Sequence, residues 1–405
     1  MPDRRPQVNP VWRDDDSTYV RVNAASDRQK SRNMRNRSFA TILLVDPANA
    51  LFWLEIRGLQ TYRVTGGMLM TISLHPERHN AVEAIIPVID LEPVLADAPG
   101  GLETAAAELR YALEEIGFFI IINHGVPPAL IDQTFAEARR FHAQPLDAKM
   151  ALRMNEHNNG YMAMSRYAVW TSDVNANDKP DLNEAFFTKR ERTADDPLLQ
   201  SGRRFVGPNR WPEDLPGFRD RIMAYTDAID ELSRRVLPVC AVALDLPPDY
   251  FDVAFTDSQF SFRLSHYPPL QAEANQFGIA PHTDANFLTF LAQTEIPGLQ
   301  VRMPCGTWLD VPYVPSSFAV NAGDMMYRWT NGRFKSTPHR AVPPVGRHRY
   351  AIPFFLGPHI DTVIECLPTC QGPDHPPQYP PITYDAYLHW WYDANYDAAL
   401  QDDET

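Results

Sequence analysis

FGIAPHTDANFLTFLAQ, residues 277 to 293, sets the triplet His282, Thr283, Asp284 at the mouth of an apolar run from Phe287 to Ala292. In an extended strand, side chains two apart share a face, so His282 and Asp284 are expected to reach one ion while Thr283 turns away. A second histidine, His339, follows 55 residues after Asp284. Two imidazoles and one carboxylate leave about three of six octahedral positions open, which is what a non-haem Fe(II) centre needs to take a co-substrate and O2 together.

A chain with 12 histidines contains a His-x-Asp by chance, and this one has a second, His359, Ile360, Asp361. A Pro-rich stretch follows it, with only His375 and His389 downstream and no basic strand after either, so it is read as a decoy. His339 is instead followed by Arg349 after the turn signal Pro343, Pro344, Val345, Gly346, which is expected to fold the chain back as a hairpin. An arginine on the returning strand would grip a carboxylate near the metal.

Working outward, short apolar segments punctuated by Gly and Pro run from near Phe260 to about Leu356, the pattern of a double-sheet jelly roll. Upstream, helical spacing over Leu102 to Ile116 leads into a buried strand, Phe118 to Ile122. Further helices are predicted from Pro128 to Ala143 and from Phe218 to Leu244, before Pro247 and Pro248. His124, just beyond the first strand, reads as a loop histidine. The closing TYDAYLHWWYDANYDAAL suggests a last helix whose aromatics cover the sheet. The expected fold is mainly β with flanking helices: a module of helices and strands over 80–200 and a jelly-roll (double-stranded β-helix) domain over 215–400.

These residues resemble the 2-oxoglutarate-dependent Fe(II) dioxygenases of the isopenicillin N synthase-like family. The matching segments are FRLSHYPP (262–269), FGIAPHTDANFLTFLAQ, GLQV (298–301), NAGD (321–324), WTNGRFKSTPHR (329–340) and RYAIPFFLGP (349–358), with IIPVIDL (85–91) and IGFFIIINHGV (116–126) before them. The resemblance covers roughly residues 80 to 400. It implies Fe(II) on His282, Asp284 and His339, 2-oxoglutarate chelating the iron with its distal carboxylate on Arg349, O2 in the remaining position, and oxidation of a small organic substrate with release of succinate and CO2. Substrate-facing candidates are Tyr161, Phe186, Phe262, Thr289 and Trp329.

One position departs from the family pattern. Where Arg-x-Ser is usual, this chain has Arg349, Tyr350, Ala351, and alanine offers no hydroxyl to the bound carboxylate. A hydrogen bond to a charged group contributes roughly 1.5 to 3 kcal/mol, so co-substrate binding is expected to weaken about ten- to a hundred-fold unless Tyr267 or Arg263 compensates. Three alternatives therefore stay open: an ethylene- and succinate-forming reaction, an oxidase that does not use 2-oxoglutarate, and a small-molecule binding protein with a degenerate site.

Composition narrows the partners. A net charge of −14 argues against nucleic acid, which needs clustered Lys and Arg. The four cysteines are too few and scattered for a disulfide framework and read as cytosolic thiols, and Cys366 and Cys370 with His375 lack a fourth zinc ligand. The start, MPDRRPQVNP, has no apolar signal region, and no run approaches the roughly 18 apolar residues of a membrane span, so a cytoplasmic protein is expected.

The first 67 residues differ from the rest. They carry 11 Lys plus Arg and 7 Asp plus Glu, a net of +4 that leaves −18 for the remainder. Strands are predicted at Val8–Trp12, Tyr19–Asn23, Phe39–Val45 and Phe52–Leu59, with a basic helix near Arg28–Arg37, a short β-meander. PQVNPVW, YVRVNAASDRQKSRNMRN and LFWLEIRG resemble part of the pyridoxamine-phosphate-oxidase-like split barrels, flavin or deazaflavin proteins in which the Arg28, Lys30 and Asn33 positions would face a cofactor phosphate. The stretch spans about half of such a domain, and Asp27 stands where glycine is usual, so it is read as a non-functional remnant with the working module opening at Met68 or Met70.

Overall fold

The computed structural model describes residues 86–165 and 172–395, together with strands Trp12–Arg13, Tyr19–Asn23, Phe39–Asp46, Asn49–Arg57 and Leu69–Ser73. The chain divides into two compact units, residues 1–85 and 86–405. In the first, Tyr19–Asn23 pairs with both Trp12–Arg13 and Leu69–Ser73, and Phe39–Asp46 pairs with Asn49–Arg57. The pairing of Leu69–Ser73 with Tyr19–Asn23 carries this unit past Met68 and Met70. The basic helix expected over 28–37, and most of the strand expected over 8–12, lie outside the described residues.

In the second unit the strands of the two main sheets are β1 (Val88–Asp90), β2 (Phe118–Ile122), β3 (Gly160–Met162), β4 (Glu184–Lys189), β5 (Phe260–Tyr267), β6 (Ile279–His282), β7 (Leu288–Gln293), β8 (Leu299–Arg302), β9 (Trp308–Asp310), β10 (Phe318–Ala322), β11 (His339–Ala341) and β12 (Arg349–Leu356). They form an eight-stranded sheet in the order β1-β2-β10-β7-β12-β5-β4-β3 and a four-stranded sheet in the order β6-β11-β8-β9. This is the expected jelly roll.

The long helices are α1 (Gly101–Glu115), α2 (Pro128–His142), α3 (Phe218–Ala243) and α4 (Tyr384–Asn395). Ala105, Ala106, Leu109, Ala112 and Leu113 make one buried stripe on α1, the helical period its sequence announces. α3 packs against α1 and α2. The period of two along β5 sends Phe262 and Leu264 toward these helices, where Phe262 meets Tyr225 of α3 with ring centroids 5.7 Å apart. Arg263, Ser265 and Tyr267 point the other way, into the roll.

The segment 343–346 does not close a hairpin. β11 pairs with β6 and β8, whereas β12 pairs with β5 and β7, so the turn carries the chain from the small sheet to the large one. Arg349 therefore approaches the interior from the sheet opposite to His282 and His339.

Candidate metal centre and cavity

His282 and His339 are directly opposed across β6 and β11, and this register brings their ring centroids to 4.3 Å. Asp284 lies just past the end of β6, so the shared strand face is not what aims its carboxylate. Its Oδ2 accepts hydrogen bonds from Thr289 Oγ1 at 2.6 Å and Asn321 Nδ2 at 2.8 Å, two residues that are themselves opposed across β7 and β10. Its Oδ1 is left 3.8 Å from His282 Nε2 and 3.6 Å from His339 Nε2. Each imidazole is oriented by its own chain: His282 Nδ1 pairs with the carbonyl of Ala280 at 2.8 Å and His339 Nδ1 with that of Thr337 at 3.1 Å. With Nδ1 bonded to a carbonyl, each ring offers a bare Nε2 lone pair to a metal. Gly323 lets the Asp284 loop pack close, because a Cβ there would lie 2.7 Å from the Asp284 carbonyl oxygen.

The electrostatics suit a cation. Burial and the neighbouring His339 hold the His282 imidazole well below its ordinary pKa, so it stands neutral and ready to ligate. Burial opposes the charge on Asp284, but both imidazoles and the donors from Asn321 and Thr289 outweigh it and keep the carboxyl below its usual range. Two imidazole nitrogens and one carboxylate oxygen on one side of an ion fit Fe(II) with positions left open.

Arg349 is opposed to Tyr267 across β12 and β5, and its guanidinium stands over the Tyr267 ring, 4.9 Å from the centroid. It is 1% exposed and its Nε has no partner. Gly298, of the GLQV segment, makes room for it, since a Cβ there would lie 2.8 Å from Arg349 Cδ. A buried guanidinium without a carboxylate is costly unless a ligand supplies one.

Comparison with known proteins settles the family. Residues 86–214 match the N-terminal family described as non-haem dioxygenase in morphine synthesis, and residues 258–358 match the 2OG-Fe(II) oxygenase superfamily. A 2-oxoglutarate-Fe(II) type oxidoreductase of Emericella nidulans is 35% identical over 77% of this chain and 91% of its own length. The chain belongs to the 2OG-Fe(II) oxygenase superfamily. Kihadalactone A synthase of Citrus sinensis is also 35% identical, over 75% of this chain and 91% of the synthase. The crystal structure of a full-length Neurospora crassa protein in complex with alpha-KG superposes with a TM-score of 0.66 at 29% identity, covering 75% of this chain and 94% of that one.

The protein is accordingly an Fe(II)- and 2-oxoglutarate-dependent dioxygenase, an oxidoreductase. The amino-terminal family match begins at residue 86, and the resemblance of residues 1–67 to split-barrel flavin proteins is not supported. No helix among the described residues is long and apolar enough to cross a membrane.

Beside the candidate metal centre a cavity of about 740 Å³, counting its open mouth, is lined by His282, Asp284, Arg263, Phe187 and Phe355 and by α4 through Tyr384, Leu388, Trp391 and Tyr392. The α4 aromatics therefore wall the cavity as well as cover the sheet. None of the substrate candidates lines it. Phe186 and Phe262 face the helices, Phe186 packing tilted against Phe141 with ring centroids 4.5 Å apart. Trp329 packs among Phe251, Phe255 and Phe287. Thr289 holds Asp284, and Tyr161 donates its hydroxyl to Glu184. For Phe186 and Phe262 the cause is that alternation shows that a strand has two faces, but not which one meets the helices.

Tyr161 belongs to a polar cluster that the sequence does not announce. On the helix side of the large sheet, Glu184 accepts from Lys149 Nζ at 2.7 Å and pairs with His266 Nδ1 at 2.7 Å, with His142 Nδ1 at 3.4 Å. The ligand atoms of His142, Glu184 and His266 lie within 4.8 Å of one another. Because Lys149 and Tyr161 already occupy the carboxylate, the group reads as a buried polar network. The decoy triplet is engaged as well: Asp361 is ion-paired with Arg203, and His359 Nδ1 accepts from the Asp361 backbone N–H at 3.2 Å. His124 bridges the backbone of Ser316 and Val126, as expected of a loop histidine. Cys366 Sγ and His375 Nε2 point to separate backbone carbonyls, those of Leu367 and Asn331.

Proposed function

We propose that His282, Asp284 and His339 hold the Fe(II), and that Arg349, backed by Tyr267, binds the distal carboxylate of 2-oxoglutarate. The observation that carries this reading is the division of labour within each side chain. The imidazole Nδ1 atoms and Asp284 Oδ2 are occupied by the protein, while Nε2, Nε2 and Oδ1 converge on one point. When bound, iron and 2-oxoglutarate supply oxidative decarboxylation to succinate and CO2 coupled to oxidation of a small organic molecule.

The missing serine has a neighbour that takes its part. Ser265 stands directly opposite Ala351 across β5 and β12, two pairs along from Tyr267 and Arg349, so all four side chains share the inner face. Its Oγ is buried without a hydrogen-bond partner. Ser265 therefore offers the second hydrogen bond to the carboxylate on Arg349. An oxidase that does without 2-oxoglutarate would leave both Arg349 and Ser265 unmatched.

Residues 1–85 form a separate compact unit and are proposed to be dispensable for the chemistry. The described cysteines are all free thiols, in keeping with a reducing cytoplasm. The test is to add Fe(II) and 2-oxoglutarate anaerobically, then O2 with and without candidate organic substrates, and to measure succinate and ethylene. Succinate formation that depends on Arg349 supports the reading. Ethylene as the main product, or turnover without 2-oxoglutarate, overturns it.

A further inference from the structure

We infer that the substrate of this oxygenase is an organic anion, a carboxylic acid with an apolar or aromatic body, and that Arg263 receives its charge. The inference deepens the proposed function and rests on the iron centre being the catalytic one. Arg263 lines the same cavity as His282 and Asp284. It is 5% exposed, yet its Nε has no hydrogen-bond partner, and among the described residues it forms no ion pair with an acidic side chain. A guanidinium stripped of water and of counter-ion is costly, and in a ligand cavity an anionic ligand removes that cost.

The group is also held still. Arg263 Nη2 donates to Asn183 Oδ1, and Asn183 Nδ2 donates to the Gly278 carbonyl at 2.6 Å, which fixes the amide and with it one arm of the guanidinium. The Phe187 ring lies under the guanidinium carbon at 5.2 Å. Pinned on one side and stacked below, the side chain keeps its fork geometry for a carboxylate with little entropy left to lose.

Other cations at the cavity are already committed. Lys189 Nζ donates to the carbonyls of His157 and Asn158 and to Asn159 Oδ1 at 2.6 to 2.8 Å. Arg204, next to the cavity residue Phe205, pairs with Asp393 of α4 at 2.6 Å. Arg263 is also set apart from the co-substrate anchor. It lies four residues from Tyr267 along β5, about 13 Å at strand rise, whereas Tyr267 is the residue opposed to Arg349. Most of the remaining wall is apolar, with Phe205, Phe260, Ile279 and Phe355 lining the cavity together with Leu388 and Trp391, interrupted by the polar side chains of Gln259, Ser261 and Asn286. A carboxylate on Arg263 would leave the remainder of the molecule against these side chains, in the cavity that His282 and Asp284 also line.

The test is isothermal titration of the full-length protein, loaded anaerobically with Fe(II) and 2-oxoglutarate. The probes are a panel of aryl- and alkyl-carboxylic acids of increasing length, starting with 3-phenylpropionate, each beside its neutral amide. At least one acid is expected to bind roughly tenfold or more tightly than its amide, the scale of one charge-assisted contact. In Arg263→Gln, which keeps a donor for Asn183, that preference should vanish while the 2-oxoglutarate dissociation constant stays within about twofold. If no acid is preferred over its amide, or if Arg263→Gln keeps the preference, the inference is overturned. If the variant instead loses 2-oxoglutarate, Arg263 belongs to the co-substrate and the inference is again wrong. Failure of the wild type to bind 2-oxoglutarate at all would count against the proposed function rather than against Arg263.

Discussion

At the scale of single residues, the centre is built from side chains that each have one end tied to the protein and the other free. His282→Ala and His339→Ala are therefore expected to lose stoichiometric iron and turnover in a folded protein, and His359→Ala to lose neither, as read by metal analysis. Normal iron in either of the first two would refute the ligand assignment. The proposed 2-oxoglutarate anchor has a comparable signature. Arg349→Ala leaves a desolvated carboxylate without its charge partner, costing about 3 to 5 kcal/mol, and Ser265→Ala should weaken binding by about 1.5 to 3 kcal/mol. In the Ser265→Ala background, Ala351→Ser should restore much of that loss, whereas in the wild type it should add little. These are anaerobic dissociation constants of the Fe(II) protein. A Ser265→Ala protein that binds as tightly as wild type would remove Ser265 from the site.

The same scale sets a pH dependence. His282 has a folded pKa depressed by burial and by His339, so between its unfolded value near 6.5 and its lower folded value the unfolded chain binds the extra proton. Stability of the metal-free protein should then fall as pH drops below about 6.5, by up to about 1.4 kcal/mol per pH unit from this group. His282→Asn should flatten that slope in urea titrations between about pH 6 and pH 4.5, and an unchanged slope would show that His282 is not the group responsible.

At the scale of elements, the positions of the site residues follow from strand register. Thr289 on β7 and Asn321 on β10 are opposed, and together they fix one oxygen of Asp284. Thr289→Val keeps the shape and removes the donor. It should lower iron affinity about tenfold while leaving 2-oxoglutarate contacts intact, which a competition titration with a chelator would show. Helix α4 closes one wall of the cavity, anchored where Arg204 pairs with Asp393 and stacks over Tyr392 at 5.8 Å. Trp391→Ala should widen that wall, raising the substrate KM and the 2-oxoglutarate consumed per substrate oxidised, with the 2-oxoglutarate dissociation constant unchanged. Unaltered coupling would mean that α4 does not shape the substrate site.

At the scale of the whole molecule, the chain is two units, and both family matches fall in the second. A chain beginning at Ile86 should retain turnover and lie within about 1 kcal/mol of the full chain in stability, the size of an ordinary point change. Loss of activity or solubility would show that residues 1–85 are part of the working enzyme. The fold and the grouping of His282, Asp284 and His339 were legible in the sequence because both leave local patterns: period two and Gly-Pro punctuation for the strands, His-x-Asp with a later histidine for the cluster. Contacts between distant strands left no such trace. The turn at 343–346 was read as a hairpin because turn chemistry is local, whereas the sheet that β12 joins depends on pairing with β5 and β7. Phe186 and Phe262 looked like substrate residues because an aromatic on an alternating strand reads the same on either face, and only the packing of α2 and α3 decides which face is dry. Ser265 carries no motif of its own. Its place opposite Ala351, like that of His282 opposite His339, was set by tertiary pairing, since cross-strand register brings together side chains that the chain itself separates.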